Sequence, residues 1–146
     1  MKLWTWVERL FRQEKRSSSD VKKSCLLSHQ GGQIWISWLD NLNDNSELIR
    51  KQILDNERLI SQHNRSYRVL YHLDGTEVSN DIAIVMIDSL IRSRKYVNKL
   101  AIVGVTSKGK ESIKRCLSTS EADLNMTFKY YSDLEMAKDW LISERH

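Results

Sequence analysis

Residues 104–110 carry the glycine and lysine spacing of a phosphate-binding loop. Such a loop places glycine, four residues, glycine and lysine before a serine or threonine whose hydroxyl binds magnesium. Gly104, Gly109 and Lys110 stand at these positions, but Glu111 replaces the hydroxyl residue. A carboxylate at that position would lie close to bound phosphate and repel it. Nucleotide hydrolysis is therefore not expected, and a degenerate nucleotide-binding protein is the last of three functional alternatives.

The same junction predicts a simpler anion site. We expect a strand before it and a helix after it, and the first N–H groups of a helix attract negative charge. The competing interpretation is a turn in which the two glycines supply only backbone freedom. The residues that would hold an anion or a lipid headgroup are Gly104, Thr106, Ser107, Gly109 and Lys110.

The remaining polar residues do not form a recognisable catalytic or metal site. Neither the four histidines nor the two cysteines have the spacing of metal ligands. His72 is expected to lie in a strand as a core or face residue. Asp74, Glu77 and Asp81 follow that strand, where they form either a polar rim for a ligand or a solvated, capping loop. We therefore expect no catalytic residue, no metal, no cofactor and no enzymatic activity.

Hydrophobic periodicity predicts the elements that position these residues. Alternation around Gly31 and Gly32 indicates a β-hairpin, and strands separated by helices follow it. Because such strands are joined by right-handed crossovers, the order ββαβαβαβα predicts an α/β fold with a mostly parallel sheet and an antiparallel N-terminal hairpin at its edge. The predicted strands cover 25–29, 33–39, 67–73, 100–105 and 126–131, and the helices cover 47–63, 79–93, 111–117 and about 133–143.

Three helix starts carry their own signals. Asp44 with Glu47, and Ser132 with Glu135, have capping-box spacing before the first and last of these helices. Ser79 is expected to cap the second helix.

The N-terminus differs from the rest of the chain in charge and pattern. Residues 1–23 hold seven basic and three acidic side chains, whereas the other 123 residues are neutral. We therefore divide the chain into 1–23, an amphipathic helix with a polar linker, and 24–146, the α/β domain. The helix would contact either a protein (its own domain, a dimer mate or another partner) or a membrane surface. Its apolar contacts are Leu3, Trp4, Trp6, Val7, Leu10 and Phe11.

Composition narrows the compartment and the partners. The chain has 146 residues, a net charge of +4 and no run of apolar residues long enough to cross a bilayer. The neutral body is a poor match for nucleic acid. Two distant cysteines are typical of a reducing compartment. We expect a cytoplasmic protein, with residues 1–15 as the part that would attach it to the inner face of a membrane.

Two segments resemble a known family. KYVNKLAIVGV at 95–105 and YYSDLEMAKDWL at 130–141 resemble the small bacterial SpoIIAA-like proteins of the STAS family, and the resemblance extends over about 30–143. It implies a four- or five-stranded sheet with helices mainly on one side. It also implies a non-catalytic binding or regulatory domain, as in anti-sigma factor antagonists. We expect the second and third body helices to form the surface that meets a protein partner. Because the fold is related to the SEC14 type, a lipid or small apolar-ligand carrier is the second alternative.

The resemblance also points to a phosphorylation site. Anti-sigma factor antagonists carry a phosphorylated Ser or Thr at the start of the helix after the third strand. The hydroxyls that match this place are Thr76 and Ser79, although the usual Asp-Ser-Ser-Gly pattern is absent from DGTEVSN. A homodimer is a further expectation.

Overall fold

The computed structural model of the chain describes residues 22–119 and 124–144. The predicted order ββαβαβαβα is confirmed over these residues. The strands are β1 (Cys25–His29), β2 (Gly32–Trp38), β3 (Tyr67–His72), β4 (Val97–Val103) and β5 (Thr127–Tyr131). The helices are α1 (Ser46–Ile60), α2 (Asn80–Ser93), α3 (Ser107–Thr119) and α4 (Leu134–Ile142), and a 3-10 turn, Arg94–Tyr96, joins α2 to β4.

The strands lie in the sheet in their chain order, β1-β2-β3-β4-β5. β1 pairs with β2 antiparallel, and the other neighbours are parallel. Right-handed crossovers between consecutive parallel strands place every connecting helix on the same face. α1, α2 and α3 therefore cover one face, where α2 packs between the other two. α4 follows the last strand and packs on the opposite face.

Alternation along the strands builds two apolar layers. Trp35 points toward the three crossover helices, whereas Ile34 and Ile36 point toward α4. This division agrees with the alternation predicted for β2. The larger layer fills the space under α1, α2 and α3, and a smaller one joins the sheet to Ala137, Trp140 and Leu141 of α4.

Two of the three predicted helix caps were wrong by one residue. α1 is capped by Asn45, whose side chain accepts from Leu48 N at 3.2 Å, and not by Asp44. α4 is capped by Asp133, whose carboxylate accepts from Glu135 N at 2.8 Å, and not by Ser132. In both places two capping residue types are adjacent in sequence, so the tertiary position of the helix decides which one is used.

The boundaries around the fourth strand also differ from the prediction. β4 begins three residues earlier than residue 100 and ends at Val103. α3 begins at Ser107, four residues before the predicted start at Glu111. α1 ends at Ile60, three residues before residue 63. The early start of α3 matters most, because it removes most of the predicted loop.

The predicted N-terminal helix, with its contacts Leu3, Trp4, Trp6, Val7, Leu10 and Phe11, lies outside the described residues. Among the residues that are described, no helix is both long enough and apolar enough to cross a membrane.

Candidate functional site: a cleft between the N-termini of α2 and α3

An open cleft of about 550 Å³ lies where α2 and α3 begin. It arises because α2 follows β3 and α3 follows β4, and β3 and β4 are parallel neighbours. Helices that leave the carboxyl ends of adjacent parallel strands start side by side. The cleft therefore brings together residues from the two predicted sites, Ser79 from one and Thr106 from the other. Its lining residues are Glu77, Val78, Ser79, Asn80, Thr106, Lys108, Glu111, Ser112 and Arg115.

Both helices that open onto the cleft are capped by hydroxyl side chains. Ser79 accepts a hydrogen bond from Ile82 N at 3.2 Å, which confirms the predicted cap of α2. Thr106 accepts from Gly109 N at 3.1 Å and caps α3 in the same way. The first N–H groups of each helix stay outside the intrahelical pattern, and each helix end carries a partial positive charge.

The charged side chains of the cleft balance one another. Lys108, Glu111 and Arg115 line the opening from α3, and Glu77 lines it from the loop before α2. Arg115 also donates from Nη1 to the side-chain oxygen of Asn80 at 3.0 Å, which ties α3 to the first turn of α2. Because the four formal charges cancel, the partial positive charges of the two helix N-termini make the electrostatic potential in the cleft positive.

The predicted loop at 104–110 is not a loop. Only Gly104, Val105 and Thr106 separate β4 from α3, and Gly109 and Lys110 lie in the first turn of the helix. Three residues are too few to wrap backbone N–H groups around a phosphate chain. Lys110 does not line the cleft, because its ammonium lies 5.1 Å from the centre of the Tyr130 ring.

The two glycines of this stretch serve different purposes. Gly104 has φ +80, and a Cβ there would lie 1.8 Å from Oδ1 of Asp74. Its predicted role, backbone freedom in a turn, is confirmed. The same prediction for Gly109 was wrong, because this residue is helical. A Cβ on Gly109 would lie 2.7 Å from Val105 and 3.2 Å from Val78, so glycine lets α3 approach the loop before α2.

Thr76 and Ser79 have different surroundings although three residues separate them. Thr76 is 3% exposed. Its hydroxyl donates to the carbonyl of Leu39 and accepts from Leu42 N at 3.0 Å, so it holds the β2–α1 loop against the β3–α2 loop. Ser79 is half-buried at the mouth of the cleft. Of the two predicted phosphorylation sites, Ser79 is the one that a partner can reach without opening a loop.

His72 lies beside two carboxylates at the end of β3. Its Nε2 is 3.0 Å from Asp74 Oδ2, and its Nδ1 is 3.9 Å from Asp40 Oδ1. Nδ1 is buried and has no hydrogen-bond partner in the structure. The predicted polar rim is therefore divided: Asp74 contacts His72 and Gly104, Glu77 lines the cleft, and Asp81 lies in the first turn of α2.

Cys116 lies farther along α3. Burial raises the pKa of its thiol, and the carboxylate of Asp88 raises it further. Both effects keep the thiol un-ionised, which lowers its nucleophilicity.

Asn80 and Arg115 are the site residues that sequence reasoning missed. Each is an ordinary polar residue in a helix, and 35 positions separate them. A usable signal was the topology itself, because parallel neighbouring strands predict that α2 and α3 start side by side.

The fold and the cleft define an α/β domain with a mixed sheet and a polar site at two helix N-termini. In comparisons with known proteins, no family model matches the chain, and no curated protein or solved structure is significantly similar to it.

Proposed function

We propose that this chain is a non-catalytic regulatory or binding domain of the STAS, SpoIIAA-like type, and that α2 and α3 form the surface that meets a protein partner. The observation that carries the proposal is the cleft between the N-termini of these two helices. It joins residues of both predicted sites in one accessible place. The five-stranded mixed sheet, with three crossover helices on one face, is compatible with this assignment.

The chemistry of the cleft favours an acidic side chain of the partner. Two helix N-termini point at the opening and add partial positive charge to a set of side chains whose formal charges cancel. Lys108 and Arg115 are exposed and can pair with a carboxylate. Such a contact is wet and of modest strength, which suits a reversible regulatory complex.

An apolar side chain beside the cleft supplies the second half of the surface. Ile84 is 49% exposed and lies one turn after Asn80 on α2. Residues four apart share a helix face, so Ile84 lies on the side of α2 that meets Arg115. A partner segment that inserts a carboxylate into the cleft would cover Ile84 with an apolar residue.

Phosphorylation of Ser79 would regulate this surface. A phosphate at the start of α2 is favoured by the helix dipole and can pair with Lys108 or Arg115. It would fill the place intended for the partner's carboxylate. Phosphorylation therefore releases the partner in this proposal, and Ser79→Ala should leave the complex permanently competent.

The test is capture of partners from the native host with the full-length chain, followed by titration of the captured protein. Ile84→Ser and Lys108→Glu should each weaken binding about tenfold, through loss of apolar contact and through charge repulsion. Leu54→Ser is the matched control, because Leu54 is 43% exposed on α1, the crossover helix that does not line the cleft, and should have no effect.

Three outcomes would contradict this proposal. Equal loss of binding in the Leu54 and Ile84 variants would place the surface away from the α2–α3 cleft. An apolar ligand found by native mass spectrometry would favour the carrier alternative, although closely packed side chains fill the space under the crossover helices. Nucleotide binding that Lys110→Ala abolishes would favour the degenerate nucleotide-binding alternative. Vesicle flotation with and without residues 1–23 tests the membrane interpretation of the N-terminal segment separately.

A further inference from the structure

The two edges of the sheet are protected to different degrees. β5 carries an exposed lysine, Lys129, and lysine on an edge strand discourages pairing with another chain. β1 has the sequence CLLSH, with no lysine, glutamate or proline. Within the described residues, no strand pairs with the outer side of β1. Leu26, the second residue of this strand, is 42% exposed.

The hairpin determines which backbone groups of β1 face outward. Gln30 and Gly31 have φ of 47 and 84, as in a two-residue type I′ turn. Such a turn closes on a hydrogen-bonded pair, here His29 and Gly32, and hydrogen-bonded pairs then alternate along the ladder. The backbone groups of residues 25, 27 and 29 therefore point to β2, and those of Leu26 and Ser28 point away from the sheet.

The outward backbone groups belong to Leu26 and Ser28, which lie on either side of Leu27. A twofold axis at Leu27 would therefore bring Leu26 of one copy opposite Ser28 of another. We propose that β1 pairs antiparallel with β1 of a second copy of this chain, so that two five-stranded sheets join into one continuous sheet. In this register Leu26 of each copy forms the hydrogen-bonded pair with Ser28 of the other. The two Leu27 residues then meet at the twofold axis as a non-hydrogen-bonded pair.

Charge at the two ends of the strand favours a second copy of this chain as the occupant. Exposed lysines, Lys22 and Lys23, precede β1. At its other end His29 lies 2.8 Å from Asp139, whose side chain is 57% exposed. Antiparallel pairing brings the basic end of each copy toward the acidic end of the other. The same edge meeting itself closes after two copies, whereas pairing with β5 would extend without limit and would meet Lys129.

Cross-linking of the full chain tests the register. In a Cys25→Ser, Cys116→Ser background, Leu27→Cys should form an intermolecular disulfide, because non-hydrogen-bonded partners lie about 4.5 Å apart at Cα. Leu26→Cys is the matched control. Its two copies would lie about 8 to 9 Å apart, beyond disulfide reach, although they occupy the same strand.

Light scattering after size exclusion tests the dimer itself. The natural sequence should be dimeric, and Leu26→Lys should weaken the dimer about tenfold or more, because it removes apolar contact and adds the charge that protects β5. Thr127→Lys on β5 should leave the dimer intact, and circular dichroism shows whether each variant is folded. A chain that stays monomeric at all concentrations would overturn the proposal, whether the outer side of β1 stays exposed or pairs with residues 1–21 of the same chain. So would a dimer insensitive to Leu26→Lys, or equal cross-linking at residues 26 and 27.

Discussion

The two faces of the sheet are covered in different ways. Among the described residues, 22 buried apolar side chains form the layer under α1, α2 and α3, whereas eight form the layer under α4. The first face is a wide apolar layer that three neighbouring helices enclose. The second face depends on one helix of nine residues, which polar contacts at its far end also hold. Right-handed crossover connections determine which face α1, α2 and α3 cover. No such connection follows α4 within the described residues, so its own contacts with the sheet must hold it in place.

Lys99 makes the polar contacts at the end of α4, and His29 of β1 contacts Asp139 of the same helix at 2.8 Å. Lys99 is 5% exposed, and its ammonium donates to the carbonyls of Trp140 at 3.0 Å and Ser143 at 2.8 Å. It also lies 4.6 Å from the centre of the Trp140 ring. The last carbonyls of a helix lack intrahelical partners and carry partial negative charge, so a buried cation at this end adds a donor and interacts favourably with the helix dipole.

The largest expected effect compares the same substitution on the two faces. Leu90 in α2 and Leu141 in α4 are 1% and 0% exposed. Leu90→Ala should cost about 4 to 5 kcal/mol, because α2 is held between two helices and cannot close the cavity. Leu141→Ala should cost about 2 to 3 kcal/mol, because a single helix can shift toward the sheet. Urea unfolding of both variants measures the difference. Equal costs, or the reverse order, would show that α4 is as rigidly held as α2.

A smaller effect tests the fastening of α4. Lys99→Met removes the donor to the Ser143 carbonyl, whereas the Trp140 carbonyl keeps its hydrogen bonds from Ser143 N and Oγ. The expected cost is about 1 to 3 kcal/mol. Lys129→Met is the matched control, because its ammonium lies 5.1 Å from the same ring but its side chain is exposed. The control should change stability by less than about 0.5 kcal/mol. Hydrogen exchange should show faster opening of α4 in the Lys99 variant alone. Unchanged protection would mean that the contacts of Lys99 do not hold the helix.

Strand alternation and glycine chemistry made most of the fold predictable. The pattern of Ile34, Trp35 and Ile36 assigned each side chain of β2 to its correct face. Gly104 was predicted to be a turn residue that needs backbone freedom, and its positive φ of +80 confirms this.

The missed features depend on tertiary position. The segment at 107–110 has no apolar residue, so hydrophobic spacing could not show that α3 begins there. Thr106 caps this helix without a glutamate or glutamine at the third helical position, where Gly109 stands instead. The contact between Arg115 and Asn80 joins two helices and has no local signal at all. Glu77, Ser79 and Thr106 were therefore predicted as parts of separate sites. The order of the predicted strands indicates that α2 and α3 start side by side, but not which of their side chains make contact.

The smallest expected effect concerns an ion pair on the outer surface of the three-helix face. Arg92 of α2 donates to both carboxylate oxygens of Glu57 in α1, at 3.0 and 2.8 Å. This hydrogen bonding lowers the pKa of Glu57, although burial opposes it. A carboxyl whose pKa is lower in the folded state adds stability above its unfolded value, and the stability is lost as pH falls through the folded value.

Replacing the arginine should therefore change the pH dependence and little else. Arg92→Gln should reduce the loss of stability below about pH 4.5, the ordinary value for this carboxyl. Because the Arg92 side chain is 51% exposed, the change at neutral pH should stay below about 1 kcal/mol. Urea midpoints at about pH 7 and pH 4 give the measurement. Arg58→Gln is the control. Arg58 lies 3.9 Å from the carboxylate of Asp55, and its side chain is more exposed than that of Arg92. If both variants keep the pH dependence of the natural sequence, the pair of Glu57 and Arg92 contributes nothing to the free energy of unfolding. Apolar packing would then hold α1 against α2 without it.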